Sequence, residues 1–127
     1  MKKTIINTPE APSPIGPYNQ AVLVNDTLYL SGQIPLIPET MTLLSDTVEA
    51  ETEFVMKNLK VVLKAAHMDF ENVVKTSIFL DNMENFAAVN SVYGSFFDEA
   101  TAPARETVAV KTLPKSVRVE ISMIAVK

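Results

Sequence analysis

The spacing of apolar residues along the chain changes several times between alternation and helical periodicity. Alternating and β-branched runs predict six strands, at positions 3–7, 22–24, 28–31, 73–80, 105–110 and 117–126. Apolar residues at helical spacing predict a first helix that ends near Ala66, and the DNME segment at 81–84 begins a second that runs to about Asp98. The resulting order is β-β-β-α-β-α-β-β, an α+β domain whose two helices pack on one face of a mixed sheet.

Turn and capping residues mark the boundaries of these elements. Asn25-Asp26 is a favourable two-residue turn, so the second and third strands are expected to form a hairpin. Asp46 and Glu49 have the spacing of a capping box, with Asp46 as the N-cap of the first helix. His67 follows the end of that helix, where the helix dipole favours it. Four prolines between positions 9 and 17 predict an ordered loop.

The two C-terminal strands contain the most informative polar residues. Pairing them as a hairpin, with their valines against the helices, places Arg105, Thr107, Glu120 and Ser122 together on the opposite face. An exposed ion pair, worth about 0–1 kcal/mol, is one interpretation of this cluster, and Glu120 could instead pair with Arg118. The other interpretation is a guanidinium held ready for a carboxylate, which its fork binds through two parallel bonds.

Four further residues each have a structural and a functional interpretation. Asn90 lies within the apolar stripe of the second helix, where its amide needs either a backbone partner or a ligand. Tyr18 follows a stiff Gly-Pro turn and either fills the core or faces a ligand. Ser31 and Gly32 end a strand, where glycine serves a turn or allows a ligand to approach the backbone.

Composition limits the chemistry that is available. The 127 residues, 47% hydrophobic and 20% charged, are expected to form a single domain over 1–127. The net charge of −4 and the absence of a basic run argue against a nucleic-acid surface. Without cysteine and with one histidine, thiol nucleophiles and multi-histidine metal sites are excluded. No apolar run approaches the roughly 20 residues of a membrane span, and no secretory signal is visible, so a cytoplasmic location is expected.

Eight segments, in order along nearly the whole chain, resemble the Rid/YjgF family and most closely its reactive intermediate deaminase A subgroup of 2-iminobutanoate/2-iminopropanoate deaminases. Each segment is weak evidence alone, and their ordered set is specific. They are IGPY (15–18), SGQIP (31–35), NLKVVLKAA (58–66), VVKTSIFL (73–80), FAAVNSVY (86–93), PAR (103–105), LPK (113–115) and VEISMIAV (119–126).

This resemblance implies a chorismate mutase-like fold and a homotrimer with a barrel-like centre and clefts at the subunit interfaces. It implies hydrolysis of 2-imino acids and their enamine tautomers to 2-keto acids and ammonia, without a metal or cofactor. Arg105 would anchor the substrate carboxylate and Glu120 would hold the attacking water. The cleft would be lined by Tyr18, Ser31, Gly32, Asn90 and Thr107.

The chain departs from the family pattern at three places. Glu106 follows the arginine where a small hydroxyl residue is usual, and His67 stands where a helix-ending glycine is common. The loop at 38–47 lacks a glycine often found there. None of these changes removes a proposed catalytic group, so they bear on substrate preference more than on reaction type.

Two other functions are alternatives to this enzyme. A regulatory trimer that binds 2-keto acids without turnover needs Arg105 but not Glu120. RNA cleavage, also attached to this family, is disfavoured by the net charge of −4.

Overall fold

The chain folds into a six-stranded sheet with both helices on one face, as the sequence predicts. The computed structural model describes residues 1–127. The sheet strands are β1 (Lys3–Ile6), β2 (Ala21–Val24), β3 (Thr27–Gln33), β6 (Val73–Leu80), β7 (Ala104–Ala109) and β8 (Val119–Val126). A separate two-stranded ribbon, β4 (Leu36–Ile37) with β5 (Thr42–Leu43), precedes the helices α1 (Val48–Ala65) and α2 (Phe86–Gly94). No helix is both long enough and apolar enough to cross a membrane.

The apolar periodicity of α1 supplies most of the core on the helix side. Its buried side chains pack against alternate residues of β3, β6 and β8, within a cluster of 22 buried residues. Each fully buried leucine or valine contributes about 1.5–3 kcal/mol relative to exposure. The side chains that anchor this layer are Val55, Leu59, Leu63, Leu28, Ile78, Leu80, Val119 and Ile121.

The local signals at the hairpin and at the helix ends are confirmed in part. Val24 pairs with Thr27 across the Asn25-Asp26 turn, as predicted. The first helix is capped by Thr47, whose hydroxyl accepts from the Ala50 N–H at 3.1 Å, so the prediction of Asp46 as N-cap was wrong by one residue. Asp46 instead accepts from the Thr47 N–H at 2.8 Å.

The second helix is shorter than predicted. A turn of 3₁₀ helix at Met83–Asn85, capped by Asn82, precedes α2, and α2 ends at Gly94 rather than near Asp98. The rest of the predicted apolar stripe still packs, because Phe96 and Phe97 fold back beside Phe70 with ring centroids 5.4 and 5.5 Å away.

The predicted hairpin of the two C-terminal strands was wrong. The strand order is β1-β2-β3-β8-β6-β7, so β6 lies between β7 and β8. β7 runs parallel to β6, and β8 runs antiparallel to it. The reason is the connection through α2, which returns the chain in the same direction as β6. Side-chain alternation defines the faces of a strand but does not identify its neighbour.

The predicted common face for Arg105 and Glu120 was wrong for the same reason. Arg105 lies beside Thr76 of β6, whose side chain is buried on the helix face. Glu120 lies beside Phe79, on the face away from the helices. The prediction assumed that Val108 faces the helices, but Val108 lies on the outer face with Glu120 and is 43% exposed.

The outer face of the sheet carries an apolar row across four strands. Ile5 of β1 pairs with Val22, Val22 with Tyr29, and Tyr29 with Ile124 of β8. Tyr29 is 50% exposed and Ile5 is 44% exposed. This exposed row is continuous, unlike the scattered single apolar residues that are normal on a protein surface.

Candidate active site

Arg105 is held on the helix side of β7 by α2. Its Nη1 donates to the Asn90 Oδ1 at 2.7 Å. The guanidinium carbon lies 5.1 Å from the ring centroid of Tyr93 and 5.9 Å from that of Phe86, both within cation–π range. Arg105 is exposed and forms no ion pair with a carboxylate of its own chain. The guanidinium is therefore oriented while most of its donors are free.

Tyr93 fixes the position of the aromatic surface beneath Arg105. The ring is 4% exposed, and its hydroxyl donates to the Thr76 Oγ1 at 2.9 Å. Burial raises the pKa of the Tyr93 phenol, although the Thr76 bond and the Arg105 charge act in the opposite direction. The neutral phenol thus remains the donor in this bond.

The backbone of β7 adds further donors at the open edge of the sheet. β7 is an edge strand, and the Val110 N–H donates to the Leu80 carbonyl of β6 at 2.8 Å. Peptide groups of an extended strand point alternately to its two sides. The N–H groups of Arg105 and Thr107 therefore point away from β6, toward the open edge. The Thr107 Oγ1 is the one buried side-chain polar atom without a hydrogen bond.

Glu120 occupies a separate recess on the other side of the sheet. Its side chain is half-buried, and this burial raises the pKa of the carboxyl above its ordinary value. The recess has a volume of about 100 Å³. We call it the Glu120 recess, lined principally by Tyr18, Gly32, Ile34, Pro114, Lys115 and Glu120.

Gly32 is required here by the close approach of Glu120. A Cβ at Gly32 would lie 2.8 Å from the Glu120 Oε2 and 2.9 Å from its Cδ. The approach results from a bulge, since Leu30 pairs with Met123 but Gln33 pairs with Ile121. The φ angle of Gly32 is not in the left-handed region, so space rather than backbone conformation excludes a side chain.

The other predicted site residues have different surroundings. Tyr18 lines the Glu120 recess, is 48% exposed, and accepts from the Ile15 N–H at 3.3 Å. Ser31 lines neither site, because its hydroxyl donates to the Asn19 carbonyl at 2.6 Å. Asn90 is exposed, so the prediction of a buried amide was wrong, although its partner is the predicted anchor. Arg118 binds the buried Glu51 rather than Glu120.

The candidate residues thus form two groups that do not meet within the chain. One group consists of Arg105, Asn90 and the open edge at Thr107. It borders a second recess of about 550 Å³. We call this the anchor recess, lined principally by Asn90, Tyr93, Gly94, Phe97, Glu99 and Arg105. No recess contains both Arg105 and Glu120.

Comparison with known proteins gives the family of the chain. The family model described as Endoribonuclease L-PSP matches residues 8–127. The chain belongs to the Rid/YjgF family. A RutC family protein of Synechocystis is 53% identical over 127 residues, covering 99% of this chain and 98% of the relative. A Mus musculus protein named 2-iminobutanoate/2-iminopropanoate deaminase is 45% identical, covering 98% of this chain and 92% of its own length.

Names within the family are not uniform. A Lactococcus lactis protein that is 50% identical over 121 residues, or 95% of each chain, is named as the regulator AldR. Among solved structures, RidA of a Psychrobacter species matches this Rid/YjgF chain with a TM-score of 0.92 and 39% identity, covering 98% of this chain and 99% of that one. TdcF of E. coli, solved with bound serine, matches with a TM-score of 0.91 and 39% identity over 98% of each chain.

Two residues that line the recesses were not singled out from sequence. Tyr93 was assigned only to the apolar stripe, although its spacing of three residues from Asn90 places both on one side of α2. Lys115 was noted only within the LPK segment, but it lines the Glu120 recess. Lys115 and Ser116 have φ angles of 55° and 56°, a left-handed conformation that costs non-glycine residues about 1–2 kcal/mol each.

Proposed function

We propose that this Rid/YjgF protein hydrolyses 2-imino acids and their enamine tautomers, such as 2-iminobutanoate and 2-aminoacrylate, to 2-keto acids and ammonia. The observation that carries the proposal is the Arg105 guanidinium, oriented by Asn90 and two aromatic rings but without a carboxylate partner. A small carboxylic acid supplies that partner. The deaminase name of the mouse relative supports the same reaction.

The active unit in this proposal is a homotrimer with a barrel-like centre. Arg105 and Glu120 lie on opposite faces of one sheet, so a substrate that contacts both requires two subunits. The open edge of β7 in one subunit then lies against the Glu120 recess of its neighbour. Burial of the apolar row that contains Tyr29 and Ile124 would stabilise such an assembly.

Within the composite site, Arg105 binds the substrate carboxylate through paired hydrogen bonds. The outward N–H groups of Arg105 and Thr107 are available to orient the substrate plane. An enamine that takes a proton at its third carbon becomes the protonated imine. Glu120 then accepts a proton from water as the water oxygen bonds to the imine carbon and the C=N π electrons move to nitrogen. Glu120 returns this proton to the carbinolamine nitrogen, the C–N bond breaks to release ammonia, and the hydroxyl loses its proton as the carbonyl of the 2-keto acid forms.

The environment of Glu120 suits this acid–base role. Partial burial raises the pKa of its carboxyl, which makes the ionised form a stronger base and the protonated form more accessible near neutral pH. A positioned acid–base group typically accelerates a reaction about 10²- to 10⁴-fold. The carboxylate anchor adds orientation, so no metal or cofactor is part of the proposal.

The test is ammonia or keto-acid release from 2-aminoacrylate, generated in situ from serine by a serine dehydratase. We expect the wild type to exceed the spontaneous rate, and Arg105→Ala and Glu120→Gln to return to it. Glu53→Gln, at an exposed carboxylate of α1, is the matched control and should retain activity. Sedimentation must show the same oligomer for every variant. A wild-type trimer without acceleration would overturn the proposal.

The name of the Lactococcus relative supports a second candidate, a regulatory trimer that binds 2-keto acids without turnover. The two functions differ at Glu120. Loss of deamination by Glu120→Gln, with 2-oxobutanoate binding retained in calorimetry, supports the enzyme. Equal ligand binding by a wild type that never accelerates imine hydrolysis supports the regulator.

A further inference from the structure

The anchor recess is larger than the Glu120 recess. Its volume is about 550 Å³, whereas the Glu120 recess has about 100 Å³. The Arg105 side therefore has more room for a larger substituent on the substrate.

We propose that the anchor recess is the binding site for the substrate side chain, and that Gly94 sets the size of side chain it accepts. This inference rests on the proposed function. It assigns to the protein 2-imino acids with neutral, apolar side chains and a preference for side chains larger than methyl.

The floor of the recess is aromatic and well fixed. The Tyr93 and Phe97 rings have centroids 4.8 Å apart, and Phe97 packs against Phe70 of the core. Tyr93 also lies beneath the guanidinium of Arg105. A carboxylate bound to Arg105 therefore places the rest of the ligand beside an apolar surface, where burial of an aliphatic or aromatic group is favourable.

Gly94 lines the recess and contributes no side chain to it. A Cβ built at this residue has no heavy atom within 4 Å, and its φ angle is not in the left-handed region. Gly94 is also the last residue of α2, so neither packing nor backbone conformation requires glycine. A side chain added here would extend into open space at the border of the recess and would displace no neighbouring atom.

Glu99 gives the recess a charge preference. This carboxylate is exposed, lines the recess, and forms no ion pair in the chain. A substrate side chain that ends in a second carboxylate would meet a like charge in the recess. Imines derived from aspartate and glutamate are therefore disfavoured relative to neutral ones.

The experiment compares imines generated in situ by an L-amino-acid oxidase from alanine, leucine, phenylalanine and glutamate. We expect Gly94→Val to lower the kcat/KM ratio of the leucine-derived to the alanine-derived imine about tenfold or more, since a filled pocket rejects the larger group. Glu99→Gln should raise the ratio of the glutamate-derived to the leucine-derived imine. Ala65→Val, at the exposed last residue of α1, controls for added volume at a helix end and should leave the ratios unchanged.

An unchanged leucine-to-alanine ratio in Gly94→Val would overturn the recess assignment while wild-type turnover upheld the proposed function. If the wild type accelerates no imine, the proposed function fails, and ligand binding then decides the recess separately. In that case NMR titration compares 4-methyl-2-oxopentanoate with pyruvate. Selective weakening of the larger ligand by Gly94→Val supports the recess, and equal weakening of both ligands rejects it.

Discussion

Two inactive variants should restore activity when their subunits are combined, because the proposed site needs residues from two chains. Arg105→Ala retains Glu120, and Glu120→Gln retains Arg105. In a trimer that contains both variants, one interface places an intact Arg105 against an intact Glu120. The other two interfaces lack one or both groups.

The size of the recovery follows from this arrangement. Each mixed trimer holds about one intact site in three, and a random equimolar mixture holds about one in four of the wild-type sites. The prediction is measured by co-expressing the two variants with different affinity tags and isolating the mixed trimers by sequential purification. Their turnover of 2-aminoacrylate should approach one third of the wild-type value per trimer, about threefold below the wild type.

Mixed trimers without activity would refute this reasoning. If Arg105 and Glu120 act within one chain, no interface in a mixed trimer regains a complete site and turnover stays at the spontaneous rate. The control is the Arg105→Ala/Glu120→Gln double variant combined with Arg105→Ala, which has no intact site in any arrangement. Activity in that control would point to catalysis by groups other than these two.

Four further predictions follow from single residues. Tyr93→Leu should raise KM about three- to tenfold by removing the cation–π contact, whereas Tyr93→Phe should keep KM but lower stability by about 1–3 kcal/mol; equal KM values for both variants would contradict this. Gly32→Ala should lower kcat about a hundredfold, because its Cβ displaces the Glu120 carboxylate, while 2-oxobutanoate binding persists in calorimetry. His67→Gly should stabilise the fold by about 1 kcal/mol in urea unfolding at fixed protein concentration, since His67 has a φ of 59°; no gain would show that this conformation is not strained. Burial raises the folded-state pKa of Glu120 above its ordinary value near 4.5, so ionisation of the carboxyl lowers stability as the pH rises from the ordinary pKa through the folded-state pKa. Glu120→Gln should therefore be more stable than the wild type at pH 7 and lose this advantage below about pH 4, as checked by thermal unfolding.

Local sequence signals predicted the elements better than their arrangement. The Asn25-Asp26 turn and the helical spacing of α1 depend on neighbours within a few residues, and both led to the correct element. The predicted chain order of the six sheet strands and the two helices was also correct. The end of α2 was missed because Phe96 and Phe97 continue its apolar stripe after the helix has ended.

The relation between Arg105 and Glu120 could not be predicted from alternation alone. Alternation allows Val108 to face the helices, but pairing with β6 places it on the outer face and leaves Arg105 above Tyr93. The choice depends on which strand lies beside β7, a contact set by the crossover through α2. The family resemblance assigned Arg105 and Glu120 to one site, yet it did not show that a single chain holds them on opposite faces of its sheet.

The open edge of β7 has a consequence for the newly made chain. An unpaired strand edge invites other strands to extend the sheet and so promotes aggregation, and charged side chains oppose this. Here the charges at the edge are Arg105 and Glu106, so the residue proposed to bind substrate also opposes sheet extension by other chains before the proposed trimer forms. Removing Arg105 therefore carries a solubility cost in addition to the loss of chemistry. Glu106, a departure from the family pattern, is a second charged residue that opposes aggregation through this strand.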